Sequence, residues 1–181
     1  MLYGMRDDAF DHAVAAHQRK VFTFARYLLS DREEAEDVTQ DVLIRLWRHL
    51  DRVEPDKVGG WLLRVTRNAC YDKLRHRRIR HRSSVGAAET PELEAVASRA
   101  PDPEILAGAS QVGAALVAAI GALREPQRSA VILREIQGLS YREIADALEI
   151  SVSTLRVTLH RGRRSLRSSL QELYEDVAVQ G

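Results

Sequence analysis

Apolar residues recur along this chain at helical spacing, three and four apart, and nowhere with the strict alternation of a half-buried strand. The first such run is Phe10–Leu29, with Phe10, Val14, Val21, Phe24, Ala25 and Leu28 on one stripe, and Met1–Ala9 before it is expected to fray. Ser30 and Glu33 have the spacing of a capping box and open a second helix to about Leu50, whose Ala35, Val38, Val42 and Leu46 face inward. Asp51–Gly60, with Pro55 and the Gly59–Gly60 pair, reads as a loop. Trp61–Arg82 reads as a helix with a basic tail and Leu62, Val65 and Ala69 toward the core. Ser83–Pro103 changes character: Gly86, Pro91, Pro101 and Pro103, few large apolar residues and mostly acidic charge mark a flexible linker. Glu104–Leu123 is an Ala-rich helix with Val112, Leu116, Ala119, Ile120 and Leu123 as its buried stripe. Pro126 suits the first position of the next helix, which runs to about Gln137 with Ala130, Val131 and Leu133 inward. The predicted fold is all-α: two small helical domains, residues 1–82 and 104–181, joined by the linker 83–103.

Gly138–Leu166 carries the most information. Gly138 can take a positive φ and end a helix. Ser140 and Glu143 form a capping box, Ile144, Ala145 and Leu148 give the new helix an apolar face, and small Ala145 permits close helix approach. Ile150 plugs the turn and Ser151 can cap the next helix. There Leu155, Leu159 and Leu166 are spaced to face inward, leaving Ser153, Arg156, Val157, His160, Arg161, Arg163 and Arg164 outside. A helix-turn-helix sets such a second helix in the DNA major groove, with nearby arginines on phosphates. An amphipathic hairpin with a basic solvated face shares the periodicity, but not the ordered set of capping box, small residue, turn and arginine-rich helix. Glu149 stands where such turns often use Gly; a non-Gly residue at positive φ costs about 1 kcal/mol, so the turn is expected to differ slightly here.

The 181 residues suffice for one medium domain or two small ones, and 45% hydrophobic content argues against disorder. A net charge of +1 decides nothing, but its distribution does. Arg75, Arg77, Arg78, Arg80 and Arg82 form one basic cluster, and Arg161, Arg163, Arg164 and Arg167 another; Glu33, Glu34, Glu36, Asp37 and Asp41 form an acidic one. Separate faces of opposite sign point to one polyanionic and one basic partner. The single cysteine, Cys70, precludes an internal disulfide and a CxxC metal pair, and is expected in the core or on a helix surface. No signal-peptide pattern and no apolar run of about 20 residues is present, so a cytoplasmic protein without membrane insertion is expected.

Two further faces carry candidate chemistry. Asp37, Asp41, Ile44 and Arg48 share one side of the second helix with Gln40 beside them; an outward Ile44 among acids favours docking over plain solvated surface. Arg64, Asn68, Tyr71 and Arg75 share a face of the third helix. Cations that track phosphates, an aromatic that stacks and an amide that reads a base edge suit single-stranded nucleic acid. A basic surface helix explains that stretch equally well.

Together these segments resemble a bacterial RNA polymerase sigma factor of the extracytoplasmic-function group of the sigma-70 family, over nearly the whole chain. AEDVTQDVLIRLWRHL (Ala35–Leu50) is similar to the helix that docks on the β′ clamp helices of the polymerase. GGWLLRVTRNACYDKLRHRRIR (Gly59–Arg80) resembles the segment that melts and reads the −10 element, and Leu123–Leu166 the segment that reads the −35 element as duplex. The resemblance implies polymerase contacts at Asp37, Gln40, Asp41 and Ile44, and −10 contacts at Arg64, Arg67, Asn68, Tyr71 and Arg75. It likens Val53–Gly60 to the loop that pockets a flipped −10 base. It implies −35 contacts at Ser153, Arg156, Val157, His160 and Arg161, with Arg163 and Arg164 on phosphates. Val157 and Thr158 depart from the Ser and Arg of many relatives, which points to an unusual −35 preference. The implied partners are core polymerase (β′ clamp helices and β flap), promoter DNA and an anti-sigma factor. No cofactor or metal is implied.

Three other readings compete. An enzyme lacks support: the histidines at 12, 17, 49, 76, 81 and 160 are scattered, with no HExxH, GxSxG or phosphate-cradling Gly loop. A stand-alone helix-turn-helix regulator on operator DNA leaves the acidic face and the Arg64–Arg75 face unexplained. A pure interaction protein would occupy polymerase without reading a promoter.

Overall fold

A computed structural model describes residues 2–85 and 111–179, with side chains over 6–80 and 113–171. Every regular element among the described residues is helical. The chain divides into two compact units, Met1–His76 and Arg77–Gly181. Most of the expected linker lies outside the described residues, as does the expected helical stretch 104–110; Ser83–Val85 are helical.

In the first unit α1 (Leu2–Leu29) packs against α2 (Arg32–His49), and α3 begins at Val58 and runs to Val85. Val21, Phe24, Ala25, Leu28 and Leu29 meet Ala35, Val38, Val42 and Leu46 in a core that also takes in Leu62, Leu63, Cys70 and Leu74. Residues 2–9 are helical rather than frayed. Arg6 ties them down: its Nη2 donates to the Trp47 carbonyl at 2.6 Å, its Nη1 pairs with Asp51 at 3.3 Å, and its guanidinium lies 5.0 Å from the Trp47 ring.

The cap of α2 sits one residue later than the spacing predicts. Ser30 takes φ 52° and closes α1, its N–H donating to Arg26 O at 2.9 Å. Asp31 therefore becomes the cap, accepting from the Glu34 N–H at 3.0 Å, so Glu34 rather than Glu33 stands three residues on. The inward stripe of α3 is also turned. Val65 and Ala69 are half-buried, whereas Thr66 and Cys70 are fully buried. Thr66 can be inside because its hydroxyl donates to the Leu62 carbonyl at 2.7 Å, as Thr39 does to Ala35 in α2. The expected loop 51–60 contains two short 3₁₀ turns, Leu50–Arg52 and Pro55–Lys57, and Val58–Gly60 already belong to α3.

The second unit holds α4 (Gln111–Ala122), α5 (Gln127–Val131), α6 (Tyr141–Leu148) and α7 (Val152–Val179). Pro126 caps α5 rather than entering it, and the helix loosens into a π turn over Ile132–Ile136. Ile120, Val131, Ile132, Leu133, Ile144, Leu155 and Leu159 form its core, each at most 1% exposed. Gly162 lets α7 approach α5: a Cβ there would stand 2.9 Å from Val131 Cγ2.

Candidate nucleic-acid and polymerase interfaces

Each joint of the helix-turn-helix can be traced to a residue. Gly138 takes φ 69° after the π turn, its N–H donating to Arg134 O at 3.2 Å. The capping box at α6 is complete: Glu143 N–H donates to Ser140 Oγ at 3.3 Å, and Ser140 N–H donates to Glu143 Oε2 at 2.7 Å. Glu149 then takes φ 57°, ψ 41°. The Ile150 N–H donates to Ala145 O at 3.0 Å and the Glu149 N–H to Asp146 O at 3.3 Å. That is a Schellman turn. The turn is thus not altered to suit Glu149; a glutamate occupies the left-handed position that glycine ordinarily fills. Ser151 caps α7, its Oγ accepting from the Thr154 N–H at 3.0 Å.

Because Leu155, Leu159 and Leu166 are drawn into the core, α7 turns Ser153, Arg156, Val157, His160, Arg161, Arg163 and Arg164 outward, all exposed. Arg163 differs from the rest. Its Nε and Nη2 both donate to Glu135 Oε1, at 3.0 and 2.7 Å. The hydrogen bond to Glu135 holds its pKa above the ordinary arginine value, with burial working against and Tyr141 assisting. Tyr141 also takes the Arg134 guanidinium over its ring at 5.1 Å, while Arg134 donates to the Leu139 carbonyl at 2.7 Å.

On α2 the structure brings Asp37, Gln40, Asp41 and Ile44 to one exposed face. Asp37 pairs with Lys73 of α3 at 3.2 Å. Ile44 is 43% exposed and Trp47, three residues on, is 37% exposed; spacing from Ile44 was the signal that would have added Trp47. A shallow groove beside Gln40, floored by Phe22 and Leu43, joins α1 to this face and has no linear sequence signal.

On α3, Arg64, Arg67 and Tyr71 are half-buried, and Asn68 and Arg75 are exposed. Arg75 donates to Asp72 at 2.6 Å. Gly59 in the first turn of α3 admits the His17 ring from α1: a Cβ at Gly59 would stand 3.0 Å from His17 Cε1. Burial first, then Lys20 and His12, lower the pKa of His17.

A helix-turn-helix with an arginine-rich outer face defines a DNA-binding protein by class. The comparisons with known proteins are more specific. Residues 13–80 match the family model for Sigma-70 region 2, and residues 113–166 that for Sigma-70, region 4. The ECF RNA polymerase sigma factor SigE of Mycolicibacterium smegmatis is 36% identical over 94% of this chain, which spans 65% of that protein. The RNA polymerase sigma factor CarQ of Myxococcus xanthus is 32% identical over 94% of each chain. Among solved structures, the sigma factor RpoE of Bartonella quintana, in complex with the anti-sigma factor NepR, aligns with TM-score 0.68 and 25% identity over 90% of this chain and 96% of that one. The ECF RNA polymerase sigma-E factor of Escherichia coli is 32% identical over 91% of this chain and 88% of that protein, and this chain belongs to the extracytoplasmic-function group of the sigma-70 family. It is a transcription initiation factor and not an enzyme. No helix among the described residues is long and apolar enough to cross a membrane.

Proposed function

We propose that this protein engages core RNA polymerase through Asp37, Gln40, Asp41 and Ile44 of α2 on the β′ clamp helices, with the second unit against the β flap. Promoter DNA is then read in two places. Arg64, Arg67, Asn68, Tyr71 and Arg75 of α3 capture the −10 strand, beside the 53–60 segment that pockets a flipped base. The outer face of α7 reads the −35 duplex through Ser153, Arg156, Val157, His160 and Arg161, with Arg164 on phosphate; Arg163, expected on phosphate beside it, is assigned instead to the Glu135 carboxylate that its guanidinium engages. Residues 1–82 and 104–181 are the two functional domains, and 83–103 tethers them.

The observation that carries this reading is the outer face of α7, where polar and basic side chains stand exposed directly opposite a buried leucine stripe. Two reading domains on one chain raise each other's effective concentration, so modest contacts become selective together. Binding of extruded bases by α3 offsets an unstacking cost of roughly a few kcal/mol per base. Polymerase supplies the chemistry. A protein with this task works in the cytoplasm. The Bartonella relative is solved with an anti-sigma factor, and a partner of that class is proposed here as the restraint on this protein.

Reconstituted transcription tests the reading: core polymerase, this protein and fragmented genomic DNA, with transcript starts mapped. Starts that share two spaced upstream motifs and require the protein support it. Duplex protection without polymerase-dependent starts would replace it with operator binding.

A further inference from the structure

We infer that Val157 reads the 5-methyl group of a pyrimidine, thymine in ordinary DNA, in the upstream duplex. The inference rests on the duplex-reading role proposed for α7 and names one feature of what that helix recognises.

An α-helix turns by about 100° per residue, which sets Val157 roughly half a turn from Leu155, Leu159 and Leu166. Those three leucines are 0%, 1% and 9% exposed. Val157 is 51% exposed and stands at the crest of the outer face. Around it lie exposed Ser153, His160, Arg161 and Arg164. The crest of the helix is thus an isopropyl group ringed by polar and charged side chains. Its neighbour Thr158 supplies no polar group there, being turned inward with its hydroxyl donating to the Thr154 carbonyl at 2.9 Å. The Ser153 hydroxyl is shared with Ser151 at 2.8 Å, at the start of the helix.

A helix lying in the major groove brings its crest nearest the base edges. Those edges offer acceptors, donors and one apolar group, the C5 methyl of thymine. An isopropyl pressed against a donor or acceptor strips water from it and returns no hydrogen bond. Against a methyl group both surfaces leave water together. Val157 therefore favours a methylated pyrimidine and disfavours other edges at the same step. 5-Methylcytosine presents the same methyl group, so the chemistry is shared and the two sources are separable by substitution.

The test uses the full-length protein on core polymerase. The probes are duplexes that this holoenzyme selects from a pool randomised across the upstream element. Each thymine, on either strand, is replaced singly by deoxyuridine, which removes the methyl and nothing else. At one position the replacement is expected to weaken binding on the order of 3- to 5-fold, the worth of one buried methyl. With Val157→Ala, thymine and deoxyuridine duplexes should bind within about 1.5-fold of each other, because the pairwise coupling is gone. 5-Methylcytosine at that position should bind more tightly than cytosine. Selected duplexes without thymine, indifference to every deoxyuridine, or a methyl effect that survives Val157→Ala each overturn the inference and leave duplex reading standing. Failure of the holoenzyme to select any sequence there overturns both.

Discussion

Arg163 of α7 directs two guanidinium nitrogens onto a single carboxylate oxygen of Glu135, at 3.0 and 2.7 Å. The pair spans the helix-turn-helix from its preceding helix to its outer one. It also divides two arginines that are adjacent in sequence and look interchangeable there. Arg163 faces a protein carboxylate on the flank of α7, whereas Arg164 lies near the crest. Removing one phosphate contact makes the negative slope of log K against log salt shallower by about 0.9 on duplex DNA. Arg164→Met should show that change. Arg163→Met should leave the slope near wild type and lower stability by up to about 1 kcal/mol, the scale of a half-exposed ion pair. Equal slopes in the two variants would mean that Arg163 leaves Glu135 for phosphate when DNA arrives.

Asp37 and Asp41 stand exposed beside Ile44, and Asp37 already pairs with Lys73 across to α3. The pair is exposed enough to contribute little to folding. Asp37→Lys with Asp41→Lys should therefore leave the helical circular dichroism and melting temperature near wild type while weakening core polymerase binding at least tenfold. Asp37→Asn with Asp41→Asn controls for the like charge that a lysine would bring toward Lys73. Unchanged polymerase affinity in both variants would remove α2 from the docking surface.

Much of this was legible because helices expose their logic locally. The α6 capping box, the glycine at 138 and the leucines of α7 are sequence-near devices, and each sits where its spacing puts it. What sequence missed depends on tertiary context. Ser30 and Asp31 are both good caps; which one serves was decided by Ser30 closing α1 at positive φ. Thr66 and Cys70 displaced Val65 and Ala69 from the core because a threonine that satisfies its hydroxyl on its own helix can be buried. Residues 2–9 stay helical through Arg6 and Trp47, partners 41 positions apart. The Arg163–Glu135 pair spans 28 positions and had no sequence signal at all.

Glu149 stores strain. Its φ of 57° and ψ of 41° lie in the left-handed region, which costs a residue with a Cβ about 1–2 kcal/mol. Glycine removes that cost but loses more chain entropy on folding, about 0.4–1 kcal/mol. The difference favours Glu149→Gly by about 0.5–1 kcal/mol, read as a higher urea midpoint with an unchanged slope. An unchanged or lower midpoint would show that contacts of the glutamate outweigh the strain.

Gly162 lies inside α7, where alanine would ordinarily gain about 1 kcal/mol of helix propensity. Here the added Cβ meets Val131 Cγ2 at 2.9 Å, and Val131 is fully buried on a helix that locks its β-branched χ1. Overpacking of that kind costs about 1–3 kcal/mol, so Gly162→Ala should destabilise on balance. Val131→Ala alone should also destabilise, through a cavity. The double variant should recover part of the loss, since each change supplies the space or the volume that the other lacks. Additive losses would place the two residues out of contact in solution.

His17 gives the first unit a pH dependence of definite sign. Its ring is packed against Gly59, and burial, then Lys20 and His12, lower its pKa. A folded pKa below the unfolded value of about 6.5 means that the unfolded chain binds more protons in that window. The contribution to stability is therefore full above about pH 6.5 and falls away as pH drops through the folded value. The chain holds six histidines, so the informative quantity is a difference between proteins that differ only at position 17. Urea unfolding at pH 7.5 and pH 5 should show wild type losing more stability than His17→Gln, which keeps a polar side chain of similar reach and cannot charge. Parallel losses in the two proteins would mean that the protonated ring is accommodated against Gly59 without penalty.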